Sequence, residues 1–137
     1  LTYHNYGKLT TARCQAASFY SAGYLYIFSG YNFESTHSTH VQSIERSDGK
    51  FKTFEEFTVV NHRFLYYDCF LTFQSPNDND DIIYLVADSS PLILQLDLKQ
   101  QQVSKSASFL RGTDSFSYYH HGIQDQDKIY ILGDKHI

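Results

Sequence analysis

One strand-like phrase occurs three times in this chain: Leu-Tyr-Ile-Phe-Ser-Gly at 25–30, Ile-Tyr-Leu-Val-Ala-Asp at 83–88 and Ile-Tyr-Ile-Leu-Gly-Asp at 129–134. A recurring phrase constrains the fold more than any single motif, because each copy belongs to a unit that buries its apolar face only against its neighbours. The tyrosines Tyr26, Tyr84 and Tyr130 are 58 and then 46 residues apart. That is the length of a four-stranded unit and too long for a helical-pair or leucine-rich repeat. The spacing predicts an all-β, propeller-type array of four-stranded antiparallel blades.

A second pattern lies downstream of the first two phrases. Val41-Gln-Ser-Ile-Glu45 is followed six residues later by Phe51, and Leu94-Gln-Leu-Asp97 six residues later by Val103. Each run predicts a third strand, a polar turn (46–50 and 98–102) and a fourth strand opening on a packed apolar residue. This matches Glu45 with Asp97 and Phe51 with Val103, both 52 residues apart. First strands are expected at 13–19, 63–69 and 115–120, where aromatic and small residues suit a pleated surface. The blades then span about 13–57 and 63–109, with a half-blade over 115–137 and residues 1–12 as the tail of a preceding blade.

Composition agrees, with 12 Tyr and 11 Phe against only 2 Pro. The one stretch tempting as a helix, 93–108, alternates Leu94, Leu96 and Leu98, which favours a strand.

These residues resemble the kelch repeats, whose blades carry an arginine before the first strand, a Tyr-containing second strand ending in two glycines, an acid in the third and a tryptophan six residues later. Arg13, Tyr26, Ser29-Gly30, Ile44-Glu45 and Phe51 match in order, as do Arg63, Tyr84, Ala87-Asp88, Leu96-Asp97 and Val103. The resemblance covers nearly the whole chain and is to a divergent member: no blade keeps both glycines, and there is no tryptophan. It implies a partial kelch-like propeller, related in fold to the central domain of galactose oxidase. With 137 residues the chain holds two full blades and parts of others, whereas propellers close with four to eight. The expectation is a fragment of a longer polypeptide, or a chain whose remaining blades come from self-association.

Charge narrows the partners. The 11 basic and 15 acidic residues give a net charge of −4, with no basic stripe to suit nucleic acid or an anionic membrane. No apolar run reaches the length of a membrane span. The absence of Asn-x-Ser/Thr sequons leans away from secretion and towards the cytoplasm. Cys14 and Cys69 are read as small buried hydrophobes.

Several clusters look chemical. His37 and His40 offer two imidazoles three residues apart, a partial zinc or copper set, though a solvated Ser/Thr-rich loop accounts for them. His120 and His121 point to opposite sides of a strand. The acidic run at 77–81 lacks the central glycine and distal glutamate of a calcium loop, and reads as a hairpin turn. Tyr66 and Tyr67 near Cys69 supply the residue types of the galactose oxidase copper site without its motif. No metal or cofactor is expected, and no nucleophile elbow or phosphate loop is present.

The expected function follows from where the loops emerge. In a four-stranded blade the loop between strands two and three and the loop leading to the next blade share one end, and such loops carry function. The candidates for contact with a protein or peptide are Tyr31, Asn32, Glu34, His37 and His40 in the long first loop, with Asn61, His62, Arg63, Arg111 and Asp114 in the inter-blade loops. Arg, Tyr and Asn suit that role as a fixed fork, an amphipathic ring and an adaptable amide. Arg63 is alternatively a structural residue bonding blade-edge carbonyls. The expectation is a non-catalytic interaction module; a galactose-oxidase-like enzyme and a purely structural blade array are the alternatives.

Overall fold

The computed structural model describes residues 1–33, 39–61, 69–75, 80–87, 92–108, 116–125 and 128–135. Among the described residues twelve strands follow in chain order: β1 (Ala17–Ser21), β2 (Tyr24–Phe28), β3 (Tyr31–Asn32), β4 (Thr39–His40), β5 (Ile44–Ser47), β6 (Glu55–Phe57), β7 (Cys69–Gln74), β8 (Ile82–Ala87), β9 (Leu92–Asp97), β10 (Gln102–Ser108), β11 (Phe116–Asp125) and β12 (Lys128–Lys135). No helix occurs among the described residues. Sheet one has the order β1-β2-β5-β6 and sheet two the order β7-β8-β9-β10, both antiparallel throughout. β11 and β12 form a two-stranded hairpin, and β3 with β4 a small ladder inside the β2–β5 connection. The four-stranded antiparallel units expected from the repeat are present.

The threefold phrase occupies one structural position. Tyr26, Tyr84 and Tyr130 are each the third residue of their strand. They pair with Phe19, Phe73 and Ile123 on the preceding strand. The two-residue turn from β1 to β2 holds Ala22 and Gly23, both at positive φ, the backbone that continues the twist of a tight hairpin.

Period-two alternation then sorts side chains between two faces. The forward face of sheet one carries Ala17, Tyr26, Phe28, Ile44 and Phe57. It packs on Ile83, Leu85, Leu94, Leu96 and Val103 from the rear face of sheet two, making one apolar core. Phe19 stacks on Tyr26 at 4.7 Å between centroids, and Phe57 meets the same ring edge-on at 5.4 Å. Thr72 Oγ1 donates to Ser18 O, joining β7 to β1. Gln124 Nε2 donates to Gln74 O, joining the hairpin to sheet two. The inner strands β1, β7 and β11 are therefore successive neighbours.

The expected match of third and fourth strands is corrected by the register. Lys8 N donates to Lys52 O and Phe54 N to Lys8 O; in the same pattern Val60 N donates to Gln101 O and Val103 N to Val60 O. Phe54, not Phe51, is thus the counterpart of Val103. Phe54 is 6 % exposed and Phe51 73 %. Asp48 takes the place of Asp97: each carboxylate accepts from a backbone N–H of its own turn, that of Lys50 or Gln100. Glu45 falls at the position of Leu94, since their partners Ile27 and Leu85 each follow the repeat tyrosine. The mismatch arises because the six-residue spacing suits either alignment, while pairing of Phe28 with Ile44 and of Ile44 with Phe57 selects one. Strand bounds shift with it. β1 starts four residues later than expected and β5 begins at Ile44, leaving Val41 outside it.

Candidate recognition site

The β2–β5 connection leaves its sheet through a strained corner. Ser29 and Gly30 have φ of 59° and 96°. A Cβ on Gly30 would lie 2.5 Å from Cys14 O, so this position requires glycine for space as well as for conformation. The close approach lets Cys14 and Tyr31 exchange backbone hydrogen bonds of 2.9 and 3.0 Å, and Val41 N closes the loop onto Gly30 O. Tyr31 pairs with His40 and Asn32 with Thr39.

Three aromatic groups gather on this hairpin. Tyr31 meets His40 edge-on at 5.5 Å and leans against Phe33 at 6.3 Å. Ser29 Oγ lies 3.3 Å from His40 Nε2. Phe33 is an exposed large hydrophobe, while Tyr31, Asn32 and His40 are half-buried. Such a surface joins an exposed apolar ring to polar edges.

Beneath the hairpin is an enclosed ionic bracket. Arg13 Nη1 donates to Ser43 O at 2.8 Å and Ser29 O at 3.3 Å, and Nη2 to Ser43 Oγ at 2.9 Å. Nη2 also lies 3.7 Å from Glu45 Oε2. Glu45 accepts from Thr10 N, Thr10 Oγ1 and Thr11 N. Burial pulls the Arg13 guanidinium below its usual pKa, and the Glu45 carboxylate opposes that pull. With every strong donor and acceptor engaged, the bracket fixes both ends of the β2–β5 connection to the N-terminal segment.

Of the ten expected contact residues, Tyr31, Asn32 and His40 come together in this hairpin. Asn61 is placed elsewhere, at φ 62° one residue beyond Val60, beside the β9–β10 turn. Glu34, His37, His62, Arg63, Arg111 and Asp114 lie outside the described residues, as do 77–79 of the acidic run. Phe33, which the sequence reading passed over, is the most exposed ring of the cluster; its place in an aromatic-rich loop was the available signal. Cys14 is a free, exposed thiol, correcting its reading as a buried hydrophobe: it precedes β1 and turns its backbone, not its side chain, to the structure. Among the described residues no three of His, Cys, Asp and Glu converge as a ligand set.

A second cleft lies at the opposite end of sheet one, with a volume of about 470 Å³, lined by Tyr24, Arg46, Asp48, Phe51, Lys52 and Glu55 among others. Arg46, expected in a turn, is in β5 and spreads over the rings of Tyr24 and Phe57 at 4.6 and 5.0 Å while bonding Glu55 at 2.7 Å. Its alternation with Ile44 was the legible sign of a strand position. The guanidinium is already committed to two rings and a carboxylate, which marks it as a structural clasp.

No protein-family model matches the chain, and no curated protein matches its sequence.

Proposed function

We propose that the chain is part of a kelch-like β-propeller whose work is non-catalytic recognition of a protein or peptide through the β2–β5 connection of its first blade. The observation that carries this reading is the exposed Phe33 beside Tyr31 and His40 on a hairpin braced by the enclosed Arg13–Glu45 bracket. A projection braced at its base loses less entropy on binding than an unbraced one. Tyr31 and His40 give the aromatic centre a polar rim. The kelch assignment rests on the repeat phrase, the arginine before the first strand and the four-stranded units.

The reading is tested with a displayed peptide library selected on the immobilised chain and on a Tyr31→Ala/Phe33→Ser variant, with circular dichroism to establish that both are folded. Enrichment of a peptide class by the parent chain, lost in the variant, is the expected result. Equal enrichment by the folded variant, or no enrichment by either, would overturn it.

A further inference from the structure

The β5–β6 turn of sheet one carries an apolar ring where sheet two carries an amide. With Asp48 aligned to Asp97 and Phe54 to Val103, Phe51 and Lys52 correspond to Gln100 and Gln101 of the β9–β10 turn. The two parallel bridges likewise match Lys8 to Val60. Phe51 is largely exposed, and so is its flank, Lys8, Lys50 and Lys52. That exposure belongs to the position: Gln100 and Gln101 are exposed and Val60 is 61 % exposed, although sheet one packs against the rear of sheet two. A polar side chain thus suffices at this turn, and the fold itself does not ask for an aromatic ring at 51.

The ring stands between two clefts. On one side is the cleft of about 470 Å³ walled by Tyr24 and by Arg46, whose guanidinium is engaged by two rings and Glu55. On the other is a cleft of about 400 Å³, also lined by Phe51, on which Lys8, Lys50 and Lys52 converge. In a chain of net charge −4 this is a local excess of positive charge. Lys50 Nζ lies 3.3 Å from Asp48 Oδ2, while Lys8 and Lys52 meet no carboxylate among the described residues. A single exposed hydrophobe is ordinary on a protein surface. Beside a concave wall and two ammonium groups without carboxylates, it fits a ligand that carries both an apolar side chain and negative charge.

We infer that this turn docks an acidic segment of a partner protein: an aromatic or aliphatic side chain enters the cleft between Phe51 and Tyr24, and neighbouring carboxylates meet Lys8 and Lys52. The apolar contact supplies affinity, and the ammonium groups supply orientation and a faster encounter. A peptide is favoured over an anionic membrane because the receiving surface is concave and the chain as a whole is acidic, so an extended polyanionic surface is repelled. The turn is at the other end of sheet one from the Phe33 hairpin, and the inference does not rest on that hairpin's role.

An array of immobilised peptides, each with Asp and Glu flanks around one varied central residue, tests it with the labelled full chain. Capture is expected where the central residue is aromatic or aliphatic. It should fall about tenfold or more in Phe51→Ser, and weaken both in Lys8→Gln/Lys52→Gln and with added salt. All three positions are exposed, and far-UV circular dichroism establishes that the variants are folded. Tyr31→Ala/Phe33→Ser should leave capture unchanged. Absence of capture at every central residue, capture indifferent to the folded turn variants, or capture lost instead in Tyr31→Ala/Phe33→Ser overturns the inference. Binding to phosphatidylserine vesicles with no peptide captured overturns it too.

Discussion

Arg13 and Glu45 meet at 3.7 Å with side chains 0 % and 2 % exposed, at a register position where sheet two places Leu94. A leucine there needs only a neighbouring apolar face; a carboxylate needs donors, and the N-terminal segment provides them. Removing one partner leaves a buried charge uncompensated, which costs about 3–5 kcal/mol. Glu45→Ala or Arg13→Ala should therefore lower the urea midpoint severely. The double variant Arg13→Met/Glu45→Leu should recover much of the loss, because an apolar pair of similar volume removes the desolvation cost as well. Denaturation of the three variants measures this, and a double variant no more stable than the singles would contradict it.

The corrected register separates two nearby phenylalanines. Phe54→Ala should destabilise by about 3–5 kcal/mol, as expected for a buried aromatic side chain. Phe51→Ala should stay within about 0.5 kcal/mol of the parent chain. Equal losses at the two positions in urea denaturation would restore the 52-residue match.

Tyr26 sets an alkaline limit. Burial is the largest cause of its raised pKa, partly offset by the hydrogen bond and charge of Arg46. A folded-state pKa above that of the unfolded chain means that the folded protein holds the proton longer. The resulting stability is complete below the unfolded value of 10.0 and is lost as pH rises through the folded one. Urea midpoints should fall above that pH, and the fall should be smaller in Tyr26→Phe.

Gly30→Ala tests the corner under the β3–β4 hairpin. The added Cβ meets Cys14 O at 2.5 Å, and the residue sits at φ 96°. Strain of about 1–3 kcal/mol is expected. Slowed amide exchange at Tyr31, which donates to Cys14 O, should be lost in this variant before exchange in β8 and β9 changes. Unaltered protection at Tyr31 would show that the corner tolerates a side chain.

The sequence disclosed the units more readily than their internal register. Tyr26, Tyr84 and Tyr130 were legible because the same apolar phrase recurs around them, 58 and then 46 residues apart, and that recurrence is written in the residues themselves. Glu45 was misplaced because an acid six residues before an aromatic looks the same whether the acid caps a turn, as Asp97 does, or answers a buried arginine. That choice is made by Thr10, Thr11 and Arg13, more than thirty residues away. In the candidate site, Tyr31, Asn32 and His40 were singled out from loop length and composition, and the structure brings them together. Phe33 was missed because exposure of a single aromatic ring depends on how the Ser29–Gly30 corner turns the hairpin, and local composition carries no record of that angle.

The parallel bridges Lys8–Thr53 and Val60–Gln102 also bear on how the chain comes apart. Each hands the exit of one unit to the outer strand of the next, so a unit cannot open its outer edge without releasing its neighbour. Stability in such an array behaves as a row of coupled terms in which each unit senses only the one beside it. Loosening one unit then weakens the unit bridged to it before it reaches any other.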